Sequence, residues 1–144
     1  MSEDRIDVTK RDALLRLVGH LQDVDIREDV SLETFFDGND DGASIWCNLD
    51  CEPRPDHVMC VLMEIRARPE VHDVRIIVTQ FDGGDDAWPF SDKIVFVTSA
   101  TEADVLSWLG EAYAPDDHWT GDPLGYCRSI VVPAGHQLVT CFWD

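Results

Sequence analysis

One short segment carries oxygen side chains at a spacing that could bind a metal ion. Asp37, Asn39 and Asp41 alternate along the segment 37–42, which ends in a glycine. This pattern is typical of the start of a calcium-binding loop, because alternate oxygens surround the cation and glycine permits a sharp turn. Asn48 stands where such a loop places its bidentate glutamate. The alternative is a hairpin turn, since Asn, Asp and Gly accept left-handed backbone angles.

A second segment carries ligands that zinc prefers. Cys47, Cys51, His57 and Cys60 lie within 14 residues of one another. Structural zinc sites are commonly built from two pairs of closely spaced Cys or His ligands, and this cluster offers only one such group. The alternative is a set of small apolar cysteines with a surface histidine.

Acidic residues next to tryptophans form a candidate protein-binding surface. Carboxylates steer a basic partner towards a surface, and tryptophan often contributes strongly to binding. Paired carboxylates could also supply an acid and a base to a hydrolytic enzyme. The simplest alternative is solvated loop charge beside core aromatic rings. The candidate contact residues are Asp40, Asp85, Asp86, Trp88, Asp116, Asp117 and Trp119.

The sequence contains no motif that specifies a reaction. It has no Gly-x-Ser-x-Gly and no phosphate-binding fingerprint. The five cysteines are an odd number and no apolar leader precedes them, which favours reduced thiols in the cytoplasm. Cys127 and Cys141 are predicted to face each other across a hairpin as packed thiols. We therefore expect no cofactor.

Charge excludes two classes of partner. The 144 residues include 29 Asp and Glu against 11 Lys and Arg, a net charge of −18. Such a chain repels nucleic acid and anionic membranes, because both are bound through Lys and Arg. The same field attracts basic proteins and cations. Acidity can also serve solubility alone or adaptation to a salt-rich cytoplasm.

Apolar periodicity predicts a single α+β domain over residues 9–144, preceded by a flexible segment 1–8. The predicted element order is αββαββαββ, in which hairpins give a mainly antiparallel sheet. A capping box is predicted at Ser99–Glu102, ahead of the third helix. The predicted helices begin near residue 10, after Asp56 and after Ser99, and the predicted strands cover 30–36, 43–49, 74–81, 93–98, 126–132 and 136–143.

These observations rank three hypotheses for function. The first is a non-catalytic module, similar in kind to an inhibitor or immunity protein, that binds a basic protein partner. The second is a calcium- or zinc-binding domain, and the third is a small enzyme with carboxylate chemistry. The chain is expected to be a monomer or a homodimer. The first hypothesis requires that the acidic loops lie around one rim of the fold.

Overall fold

The computed structural model describes residues 6–18, 25–81, 87–121 and 130–144. In these ranges five antiparallel strands form one sheet in the order β1-β2-β3-β5-β4, with four α-helices. The predicted α+β class is confirmed. The elements are α1 Val8–Leu17, β1 Asp25–Ser31, α2 Leu32–Phe36, α3 Pro55–Arg66, β2 Val71–Gln80, β3 Lys93–Thr98, α4 Glu102–Leu109, a 3₁₀ turn Glu111–Tyr113, β4 Asp117–Thr120 and β5 Gln137–Phe142.

The central strands β2 and β3 are buried on both faces of the sheet. Ile76 and Phe96 belong to the main core, which includes residues of α2 and α3. Ile77 and Val95 point to the opposite face, where Ile130 packs against them. Strands covered on both sides are apolar at nearly every position rather than at alternate ones. The strands predicted from these two apolar runs are confirmed.

The hairpin predicted from 30–36 and 43–49 is wrong. The Ser31 side chain accepts a hydrogen bond from the Thr34 amide and caps α2, so a short helix follows β1 directly. Residues 43–49 form turns and no strand. A short apolar run fits a buried strand and one helical turn equally well, and here the serine cap favours the helix.

The C-terminal hairpin predicted from residues 126–132 and 136–143 is not observed among the described residues. Strand β5 lies between β3 and β4, and residues 130–132 form no strand. Most of its expected partner, including Cys127, lies outside the described residues, so the pairing of Cys127 with Cys141 stays a prediction. Burial, with a smaller contribution from the charge of Glu102, raises the pKa of the Cys141 thiol to about 12.

Residues 6 and 7, which precede α1, pack against the rest of the fold. Ile6 is buried in the core, and the Asp7 amide donates to the Gly38 carbonyl over 2.8 Å. The Asp7 side chain caps α1 by accepting from the Lys10 amide. Gly38 has a positive φ of 82°, and a Cβ atom there would lie 2.8 Å from the Asp7 Cβ. Segment 37–42 is thus fixed against the start of α1.

The cap of α4 lies two residues after the predicted one. Thr101 Oγ1 accepts from the Asp104 amide, and Asp104 accepts from the Thr101 amide. We expect Thr101→Ala to lower the free energy of unfolding by about 1 kcal/mol, because it leaves a helix amide unpaired. Ser99→Ala is the control, with an expected loss below about 0.5 kcal/mol. Urea denaturation measures both, and a larger loss for Ser99→Ala would contradict the assignment.

An ion pair between α2 and α3 makes stability depend on pH. Two Arg66 nitrogens donate to the Glu33 carboxylate over 2.9 and 2.6 Å. These bonds lower the pKa of Glu33 from 4.5 to about 2. Because the folded pKa is depressed, the contribution is present above the unfolded pKa and is lost as pH falls from about 4.5 to about 2.

Glu33→Gln is expected to destabilise the protein at pH 7 by less than about 1 kcal/mol, since the Glu33 side chain is 57% exposed. The difference from wild type should shrink as pH falls from about 4.5 and become small near pH 2, where the Glu33 carboxyl is partly protonated in the folded protein. Urea denaturation at the two pH values tests this, with Glu64→Gln as the control. A difference that is equal at both pH values would contradict the assignment.

Candidate functional site

Three strand ends meet at one end of the sheet. Lys93 of β3 pairs with Phe142 of β5, which pairs in turn with Asp117 of β4. The segments before β3, after β5 and before β4 therefore lie side by side. The Trp143 amide donates to the Asp92 carbonyl over 2.9 Å, which joins two of these segments. We call this region the acidic end.

The long segment between α2 and α3 also reaches the acidic end. The Ser91 amide donates to the Ser44 carbonyl over 2.8 Å. The Trp88 amide donates to Asp41 Oδ2 over 2.9 Å. The segment that carries Asp41 and Ser44 therefore contacts the residues that precede β3 at the acidic end.

A cavity of about 330 Å³ opens at the acidic end. We call it the carboxyl–aromatic pocket. Four chain segments contribute to it, around residues 46–49, 90–91, 116 and 143–144. Its lining includes Trp46, Asn48, Phe90, Asp116, Trp143 and Asp144.

Stacked aromatic rings form the inner wall of the pocket. The Trp46 ring lies 5.1 Å from that of Tyr113 and 5.1 Å from that of Trp143. Trp143 Nε1 donates to the Tyr113 carbonyl over 3.0 Å, which fixes its ring. Aromatic pairs at this distance contribute roughly 0.5–1.5 kcal/mol beyond their buried area. The wall is therefore a rigid part of the fold.

Two unfavourable features coincide at Trp46. Its φ of 53° lies in the left-handed region, which is uncommon for a bulky residue. Its Nε1 is buried and has no acceptor among the described residues. Each feature costs on the order of 1–3 kcal/mol, and strain of this kind clusters at functional sites. Both fall on a residue that lines the pocket.

Carboxylates lie at the mouth of the pocket. Asp116 Oδ2 accepts from the Asp144 amide over 2.7 Å, and Asn48 Nδ2 donates to the Asp144 carbonyl over 2.8 Å. Cys51 Sγ lies 3.7 Å from the Ala112 carbonyl and joins the segment after Asn48 to the 3₁₀ turn.

The rim of the pocket carries more negative than positive charge. The cations near it are already paired, Arg54 with Asp40 over 3.3 Å and Asp56 over 3.6 Å, and Lys93 with Asp92 over 2.9 Å. Exposed carboxylates in the segments that adjoin the lining, which we call the rim carboxylates, are Asp50, Glu52, Asp56, Glu111 and Asp117. Negative charges therefore outnumber positive ones in the segments around the pocket.

The fold places the predicted partner-binding residues in different environments. Asp116 lines the pocket, Asp117 is exposed beside it, and Asp40 is held by Arg54. Trp88 is buried in the core and does not line the pocket, and Trp119 is half-buried on β4. Asp85 and Asp86 lie outside the described residues. The predicted set leaves out Trp46 and Trp143, which form the wall.

The predicted calcium ligands are engaged within the protein. Asp37 accepts from Lys10 Nζ over 2.6 Å, and this contact raises the pKa of Lys10. Asn39 Oδ1 accepts from the Asp41 amide, while Asp41 itself accepts from the Ala43 and Trp88 amides. Each of the three side chains therefore contributes at least one oxygen to the local structure. The calcium hypothesis gains no support from this geometry.

The predicted zinc ligands are likewise not drawn together. Cys47, Cys51 and Cys60 are exposed, and His57 Nε2 lies 2.5 Å from the Tyr113 hydroxyl. Across the ranges that the structure describes, no three His, Cys, Asp or Glu side chains are close enough to hold a metal ion.

A carboxylate–histidine pair that sequence reasoning missed joins α4 to β4. Glu102 lies 2.6 Å from His118 Nδ1 and accepts from the Thr120 hydroxyl over 2.5 Å. The Thr120 and His118 hydrogen bonds lower the pKa of Glu102. Cys141 is opposite His118 in the sheet, but it is fully buried and its raised pKa keeps it a neutral thiol. Thiolates, not thiols, are nucleophiles, so this arrangement is structural.

The fold and the site define a single-sheet α+β domain with an acidic, aromatic-walled pocket at one end. The model of the "Uncharacterized protein YfbO family" matches residues 9–141, and the chain belongs to this family. "Uncharacterized protein YfbO" of Escherichia coli (strain K12) is 40% identical over 116 residues, which cover 80% of this chain and 81% of that protein. No solved structure matches the chain.

In the described part of the chain, each helix is too short or too polar to span a membrane.

Proposed function

We propose that this protein is a non-catalytic module that binds a basic protein partner through its acidic end. The observation that carries the proposal is the carboxyl–aromatic pocket. It combines aromatic rings and carboxylates in one cavity, and these residues come from four separate segments of the chain. Cations are attracted both to carboxylates and to aromatic faces.

Charge supports the proposal through the rate of encounter. A net charge of −18 attracts a basic protein from a distance, and the rim carboxylates concentrate that attraction at one end. Electrostatic steering increases association rates by about 10- to 1,000-fold at low salt. The partner is therefore expected to associate quickly and in a salt-sensitive way.

The aromatic wall supports the proposal through affinity. Binding energy in protein interfaces is concentrated in a few desolvated side chains, among which tryptophan is enriched. Trp46 and Trp143 are held by stacking and by the hydrogen bond to Tyr113, so little side-chain entropy is lost on binding. Carboxylates around rigid aromatic residues suit an inhibitor-like or immunity-like surface that binds a basic protein.

Calorimetric titration with a basic octapeptide of alternating Lys and Arg tests the proposal. We expect binding at 25 mM NaCl that weakens by at least roughly tenfold at 300 mM, because salt screens exposed charges beyond about 10 Å. An octapeptide of alternating Asp and Arg is the control and should bind far more weakly. No binding of the basic peptide at low salt, or an affinity that salt leaves unchanged, would overturn the proposal.

A further inference from the structure

We propose that the carboxyl–aromatic pocket accepts a single arginine side chain of the basic partner. This inference rests on the proposed function and identifies the chemical group that the pocket recognises.

The polar side chains that line the pocket offer mainly hydrogen-bond acceptors. Asp116 uses Oδ2 to accept from the Asp144 amide, and no described residue bonds its Oδ1. Asn48 uses Nδ2 to donate to the Asp144 carbonyl, and within the described residues its Oδ1 is unengaged. The Asp144 carboxylate adds further acceptors. A guanidinium group has five N–H donors and no acceptor, whereas an ammonium group has three donors.

The remaining polar groups of the lining are occupied or covered. Ser91 Oγ donates to the Lys93 carbonyl and accepts from the Lys93 amide. The Trp46 Nε1–H is buried within the wall and does not face solvent. The polar side-chain atoms left open to a ligand are therefore mainly the oxygen acceptors of Asn48, Asp116 and Asp144.

The aromatic walls favour arginine over lysine. Trp46, Phe90 and Trp143 supply the apolar part of the lining. A guanidinium is planar, stacks on aromatic rings and is more weakly hydrated than an ammonium, so its transfer into such a pocket costs less. It also matches carboxylate geometry with two parallel hydrogen bonds, which a lysine cannot do.

The size of the cavity limits the occupant to one side chain. Its volume of about 330 Å³ lies at the small end of the range for ligand pockets. A peptide segment or helix would not fit, so the rest of a partner must lie on the rim. The rim carboxylates Asp50, Glu52 and Glu111 extend beyond the pocket and suit additional cations on either side of the inserted arginine.

Two matched octapeptides test the inference. Both consist of lysines with two glycine spacers, and they differ only in a central Arg or Lys. We expect the arginine peptide to bind at least fivefold more tightly and to shift the tryptophan fluorescence. Equal affinities would overturn the arginine assignment and leave the proposed function standing. No binding of either peptide would overturn both.

Two variants assign the preference to the pocket. Asp116→Asn is expected to reduce the ratio of the affinity for the arginine peptide to that for the lysine peptide towards one. If Asp116→Asn lowers the melting temperature of the protein, Asp144→Asn replaces it as the test variant. Glu64→Gln removes the same charge from the exposed face of α3 and should leave the ratio unchanged. A ratio that survives both pocket substitutions, or that falls equally in Glu64→Gln, would overturn the inference.

Discussion

Trp143→Ala is expected to lower the free energy of unfolding by about 3–5 kcal/mol. The side chain is 4% exposed, its ring lies 5.1 Å from that of Trp46, and its Nε1 donates to the Tyr113 carbonyl. Truncation removes the apolar burial, the ring contact and the hydrogen bond together. It also leaves a cavity against Trp46, which adds to the lost transfer free energy.

Urea denaturation followed by circular dichroism measures this loss. Trp143→Phe should fall between wild type and Trp143→Ala, because it keeps a ring but loses the N–H donor. Val131→Ala is the control for removing an apolar side chain, since Val131 is 79% exposed, and it should change stability by less than about 0.5 kcal/mol. A loss below about 1 kcal/mol for Trp143→Ala would show that the aromatic wall is not a rigid part of the fold.

The double variant Asp116→Asn with Asp144→Asn is expected to weaken binding of the alternating Lys–Arg peptide by at least roughly tenfold, which corresponds to about 1.4 kcal/mol. Both residues line the pocket. Asparagine keeps an oxygen that can accept from the Asp144 amide, so the substitution removes charge while preserving the local hydrogen bond.

The matched control is Glu28→Gln with Glu64→Gln. It makes the same change in net charge at exposed positions on β1 and α3, away from the pocket. We expect this control to weaken binding much less than the pocket variant, because neither residue lines the pocket and only long-range attraction is lost. Equal losses for the two double variants would show that bulk charge, and not the pocket, holds the peptide. Calorimetric titration at 25 mM NaCl measures both variants.

Elements buried on two sides were predictable from the sequence. The run Ile94–Val97 is apolar at every position because β3 is the central strand, and the predicted bounds of that strand agree with the structure. Helix α3 was predicted from its apolar stripe, in which Val58, Leu62 and Ile65 are buried. In both cases the signal lies within one short stretch of chain.

Elements whose position depends on distant neighbours were not predictable. Strand β4 is short and polar, and it exists because β5 pairs with it at the edge of the sheet. The placement of β5 between β3 and β4 likewise depends on contacts far apart in the chain. Residues 32–36 read as part of a strand because five residues are too few to show a helical period.

The sequence predicted an acidic residue of the site but not the aromatic residues that line the pocket. Asp116 was a candidate because acidic residues cluster beside a tryptophan in the sequence. Trp46 and Trp143 could not be assigned, since a tryptophan near a loop is as often core as surface. Asn48 and Asp144 meet across 96 residues of chain, and only the folded sheet brings such segments together.

The central claim is that the acidic end is a directed binding site and not a diffuse negative surface. The most direct test is a titration with the alternating Lys–Arg peptide, followed by ¹H–¹⁵N NMR of the protein. We predict shift changes concentrated at Asn48, Asp116, Asp144 and the Trp143 indole N–H. Changes of similar size at exposed carboxylates throughout the protein, such as Glu28 and Glu64, would contradict the account.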